Sequence, residues 1–190
     1  MQRSVSEPAE KADASKVRQV IVGDIPQESK AFEKRIELFK KMTAHSSKLR
    51  IHSIVGRRGA GKSQLAGEVA RKRIAQHWCV IIWINAENEA YLLAGFRQAA
   101  IRLGLDRNDL SGKDLAMSVR HWLEADGETC ILVFDNAVSG SVVRQYMPTV
   151  GKAQIIVTTD DQELASLGIP LSVEQFTPDQ AIAYMRSRTG

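Results

Sequence analysis

Residues 51–70 read IHSIVGRRGAGKSQLAGEVA. An apolar run leads into a turn with three glycines and then into helical apolar spacing, and residues 56–63, GRRGAGKS, satisfy G-x-x-x-x-G-K-[ST] in full. Such a chain must set a strand, a tight loop and a helix end to end. The spacing serves anion binding: a helix N-terminus offers unpaired N–H groups and the positive end of its dipole, and glycines let the backbone approach phosphate closely. Gly56, Gly59 and Gly61 are therefore expected to wrap phosphates, with Ala60 and Gln64 completing the loop's contacts. Lys62 is expected to reach the β- and γ-phosphates as a point charge, and Ser63 to offer a hydroxyl to Mg²⁺. Arg57 and Arg58 read either as solvated loop positions or as contacts to phosphate or a partner domain.

From Leu49 onward short apolar runs alternate with helical patterns. The strands are LRIHSIV, CVIIWIN, CILVF, AQIIVTT and LSVEQ; the helices are SQLAGEVARKRIAQH, EAYLLAGFRQAAIRLGL, GKDLAMSVRHWLEA, SVVRQYM, DQELASL and PDQAIAYMRSR. Strands apolar on both faces of the pleat and separated by helices predict an α/β fold with a parallel sheet covered on both sides. Upstream, SKAFEKRIELFKKM predicts an amphipathic helix with Ser29 as N-cap and Phe32, Ile36, Phe39 and Met42 along its apolar face. Ordered structure is expected to begin at VRQVIVGDIP, and residues 1–16, poor in large apolar side chains, read as a disordered tail or linker.

A phosphate loop needs an acid to hold the metal, and CILVFDNAV supplies Asp135 at the end of an apolar strand, a Walker B pattern. The next position, where many such ATPases carry a catalytic glutamate, holds Asn136, which cannot act as a general base. Hydrolysis is therefore expected to be slow unless another acid serves; Glu87 is one candidate, though it reads first as an acid favourable to a helix N-terminus.

The chain of 190 residues fits one domain, and its net charge of +4 permits a polyanionic partner without requiring one. Arg71, Lys72 and Arg73 read as a solvated helix face, and Cys79 and Cys130 as small core residues of a reducing compartment. No run approaches ~20 apolar residues and no signal-peptide pattern opens the chain, so the cytoplasm is the expected location, without a membrane partner.

Taken in order, VGDIPQESKAFEKR, GRRGAGKSQLA, WINAENEAYLLAGFRQAAIRLGL, ILVFDNA, AQIIVTT and FTPDQAIAYMRSRTG resemble an NB-ARC domain of the STAND class of signalling ATPases, particularly the bacterial, actinomycete-like versions that precede tetratricopeptide repeats. The resemblance covers roughly residues 20–190, giving a nucleotide-binding domain over residues 17–190. It implies a five-stranded parallel sheet of order 2-3-1-4-5, with the Walker A strand between those carrying Walker B and the sensor, and ATP or ADP with Mg²⁺ as cofactors. It also implies that Ile21, Val22, Phe32 and Arg35 lie on the adenine side, and that Thr158 and Thr159 stand at the sensor position. Asp160 occupies the place of the arginine that reads the γ-phosphate in many relatives, and an acid cannot pair with phosphate.

The resemblance further implies partners on the same polypeptide: a helical ARC lid, repeats and an effector domain, with nucleotide-dependent self-association. The chain reads as an excised nucleotide-binding module. The leading functional reading is an ATP/ADP switch with slow Mg²⁺-dependent hydrolysis, Lys62, Asp135 and Asn136 setting its rate. The alternative is an actively hydrolysing P-loop ATPase or kinase, for which no lid segment is visible. A GTPase lacks its N/T-K-x-D signature here, and nucleic acid enters only through another domain.

Overall fold

The computed structural model describes residues 19–28, 35–44, 48–107 and 109–174. Six strands form one parallel sheet: β1 (Val20–Val22), β2 (Arg50–Val55), β3 (Val80–Asn85), β4 (Cys130–Asp135), β5 (Gln154–Thr159) and β6 (Ile169–Ser172), in the order β1-β3-β4-β5-β2-β6. Between them run α1 (Ile36–Thr43), α2 (Lys62–Ala75), α3 (Glu89–Leu103), α4 (Gly112–Asp126) and α5 (Gly140–Tyr146).

The strands' double-sided apolar pattern becomes two cores. Leu132 and Phe134 of β4, with Ile82 and Ile84 of β3, face Leu92 and Phe96 of α3 and Leu115, Val119 and Leu123 of α4. The alternate residues Ile131, Val133, Ile81 and Trp83 face Leu65 and Val69 of α2 and Met42 of α1 on the opposite side. Period-two alternation thus buries both faces of every central strand, which fixes the register, because a one-residue slip would exchange the two cores.

Two sheet expectations are corrected. The sheet has six strands rather than five, because the three-residue run Val20–Val22, too short to signal a strand by alternation, pairs with the edge of β3. The order also differs: β5, the sensor strand, lies between the Walker A strand β2 and the Walker B strand β4. All six residues of β5 are buried, which its position between β2 and β4 provides.

DQELASL forms a 3₁₀ helix over Gln162–Leu167. Ile36 is 56% exposed, since the buried stripe of α1 runs through Leu38, Phe39 and Met42 instead. Arg73 is buried, bonded to Gln154 and to the carbonyls of Met42 and Thr43, and Arg71 reaches the carbonyl of Pro26; only Lys72 is an exposed surface cation as expected. Cys130 is buried and its thiol is pushed up to about 12 by desolvation, as an inert core residue should be, while Cys79 is half-buried; both are free. The expected tail, Ser29, Phe32 and the helix over residues 178–188 lie outside the described residues.

Candidate nucleotide site

The C-terminal ends of the strands converge on one rim. Strand register sets Val55 beside Thr159, Ile54 beside Thr158, and Asp135 beside Asn85. At this rim β2 breaks into the loop 56–61, and α2 begins at Lys62. Gly61 caps the helix at φ 92° and Gly59 sits at φ 79°, left-handed values that a side chain would disfavour. Gly56 has a different reason to be glycine. The chain leaving β6 crosses directly over it, Val173 N–H donating to Val55 O at 2.7 Å, and a Cβ on Gly56 would collide with the Val173 carbonyl.

Lys62 folds back along this loop, its Nζ donating to the carbonyls of Gly56 at 2.8 Å and Arg57 at 3.1 Å. Its ammonium therefore stands inside the curl of the glycine loop. Asp135 is 8% exposed, and its Oδ1 accepts hydroxyls from Ser63 at 2.7 Å and from Thr158 at 2.5 Å. Thr158 Oγ1 in turn accepts from Asn136 N–H at 3.0 Å, holding Asn136 at φ 58°, a left-handed conformation that asparagine tolerates. The Thr159 hydroxyl donates to Ala137 O at 2.7 Å and accepts from Asp161 N–H at 3.0 Å. Both threonine protons are thus committed to protein oxygens, and the pair braces the Walker B turn.

A cleft of about 350 Å³ opens over this network, lined by Arg58, Gly59, Gly61, Lys62, Ser63 and Gln64 on one wall and by Glu87, Asn136, Val138 and Asp160 on the other. Asn85 Oδ1 accepts from Glu87 N–H at 2.9 Å and so sets the Glu87 turn at the rim. Gln64 Oε1 is buried without a hydrogen-bond partner among the described residues, a free acceptor beside the cleft. The donor set fits a magnesium nucleotide: a helix N-terminus and a lysine for phosphate, and a hydroxyl against a carboxylate, the hard oxygen ligands Mg²⁺ prefers.

The expected residues do not all meet. Arg57 is exposed and contributes its carbonyl to Lys62, while Ala60 is buried beneath the loop. Arg35 bonds the carbonyls of Ala60 and Glu174, tying the loop to the segment after β6. Val22 lies on β1 with three strands between it and β2, packed in the core against α3 and α4, so it stands apart from the cleft. Ile21 packs on the α2 side of the same strand. Sequence reasoning missed Val173 and Val138; the first glycine of the loop was the only signal for Val173.

The family model of the NB-ARC domain matches residues 32–187, most of the chain. The chain belongs to the NB-ARC family. No curated protein matches it. Among solved structures, this NB-ARC domain is similar to Cdc6p from Pyrobaculum aerophilum, at 12% identity and a TM-score of 0.62, over 93% of this chain and 53% of that one. The chain thus spans about half the length of that protein, and at this identity the likeness speaks for the fold alone. Family and fold together make the chain a P-loop nucleotide-binding module. Among the described residues no helix is long and apolar enough to cross a membrane.

Proposed function

We propose that this NB-ARC domain is the ATP/ADP switch of a STAND-type signalling protein, binding nucleotide with Mg²⁺ and hydrolysing it slowly. The observation that carries the reading is the environment of Asp135: its carboxylate is locked by Ser63 and Thr158, and the next side chain into the cleft is the amide of Asn136 rather than a base. Lys62, with the N–H groups of Gly59, Gly61 and Ser63, would hold the phosphates, and Ser63 with Asp135 would hold the metal. Bound there, Mg²⁺ would neutralise phosphate charge. Arg58 lines the same wall and is the arginine suited to phosphate contact.

A switch requires differential affinity for two states. The Arg35 bridge from Ala60 to Glu174, and the seat of Val173 on Gly56, give the loop a direct mechanical connection to the chain beyond β6, where ARC lid, repeat and effector domains would follow. Thr158 and Thr159 would act by bracing the Walker B turn, and Arg35 from the adenine side of the loop. A second reading, an actively turning-over ATPase, is favoured by one observation: Glu87 lines the cleft and could serve as base.

Equilibrium titration of Mg·ATP and Mg·ADP into the chain and its Lys62→Ala variant tests the site. Loss of affinity by at least tenfold in the variant is expected; unchanged affinity would remove Lys62 from the phosphate site and sink the assignment.

A further inference from the structure

At the opposite pole of the molecule, where the strands begin, lies a second cavity of about 450 Å³. β2 alone, six residues long, separates the two ends by about 17 Å. Among the described residues, the cations Lys48, Arg50, Arg73 and Lys152 and the carboxylate of Glu128 line this cavity. Glu128 is engaged by Lys152 at 3.2 Å, and among the described residues no carboxylate lies within ion-pair distance of Arg50 or Arg73.

Arg73 is a fixed charge rather than a mobile surface arginine. It leaves the last turn of α2, is 6% exposed, bonds Gln154 Oε1 at 2.8 Å and Gln76 Oε1 at 2.9 Å, and lies 4.2 Å from the Trp78 ring centre. All of these partners are neutral, so they orient the guanidinium without cancelling its charge. Arg50 is anchored to the Ala44 carbonyl; burial first, and then the charge of Arg50, lowers the pKa of Arg73, and burial with both arginine charges pushes His52 down to about 4. Two arginines set near one another in a partly desolvated cavity are electrostatically uphill, and an anion would relieve them.

We propose that this cavity is a second anion site, taking a compact small molecule that carries two or more phosphates. Arg50 and Lys152 contact the phosphates at the mouth, and Arg73 supplies the fixed charge behind them. Guanidinium pairs suit phosphate oxygens, and the volume falls in the range of small-molecule pockets. The cavity is concave and local, which favours a small ligand over a nucleic-acid backbone tracked along a groove.

Calorimetric titration of inorganic tripolyphosphate into the full chain carrying Lys62→Ala, which weakens the glycine loop as a competing site, tests the proposal. One binding event is expected, at least tenfold weaker when Arg50→Gln is added. Lys152→Gln, at a half-exposed side chain, provides the same test should Arg50→Gln fail to fold. Absence of binding overturns the proposal, as does affinity unchanged by the Arg50 and Lys152 substitutions. Duplex DNA that binds through these residues and is not displaced by tripolyphosphate also overturns it, by making the site a nucleic-acid contact.

Discussion

Thr158→Val isolates the hydroxyl that joins the sensor strand to the Walker B acid. Thr158 is fully buried, and valine preserves its shape while deleting a 2.5 Å bond to Asp135 and a 3.0 Å bond from Asn136 N–H. A hydrogen bond to a charged group contributes about 1.5–3 kcal/mol, and a fully buried N–H left without a partner costs about 1–3 kcal/mol, less for the part-buried N–H of exposed Asn136. Ser63 still donates to Asp135 at 2.7 Å, so the carboxylate is not stripped and the lower parts of both ranges apply. The expected loss is about 2–4 kcal/mol, or roughly 5–15 °C in Tm for a domain of this size. Urea denaturation should show the midpoint falling with an unchanged slope. Nucleotide titration should show weakened Mg²⁺-dependent ATP affinity, because the acid keeps only one of the two hydroxyl bonds that orient it. A loss below about 0.5 kcal/mol, the scale of an ordinary surface substitution, would refute the reasoning.

Two further outcomes test the packing around the site. Gly56→Ala should destabilise by about 1–3 kcal/mol through overpacking against the Val173 carbonyl, and a Tm equal to that of the parent would show that the β6 exit does not press on the loop. Burial and the charges of Arg50 and Arg73 push His52 down from 6.5 to about 4, so the folded imidazole stays neutral where the unfolded one is protonated. Stability should be full above about pH 6.5 and fall as pH drops toward 4, losing about 3 kcal/mol before levelling off. Urea midpoints at pH 7 and 4.5 measure this, and a slope that persists in His52→Asn would assign it elsewhere.

The site was legible where it is local. GRRGAGKS and CILVFD each encode their own turn and charge within eight residues, and the structure brings Lys62, Ser63 and Asp135 together. Strand order was not legible, because β2, β4 and β5 each carry apolar residues on both faces of the pleat and the pattern of one strand does not say which strand pairs with it. Arg73 shows the same limit at the level of a side chain: flanked by Arg71 and Lys72 it reads as surface, and its burial rests on partners distant in sequence, among them Gln154, 81 residues away, and the Met42 and Thr43 carbonyls. The role of Thr158 was hidden likewise, since its partners Asp135 and Asn136 arrive through strand pairing rather than sequence proximity.

The central claim, that this domain keeps its nucleotide more than it cuts it, is met most directly by steady-state turnover of Mg·ATP measured in the same preparation as its affinity. With Asn136 beside Asp135, the account predicts clear binding with turnover on the order of one per minute or less. Typical enzymes turn over near ~10 s⁻¹, and a rate in that range, lost in Glu87→Gln, would contradict it.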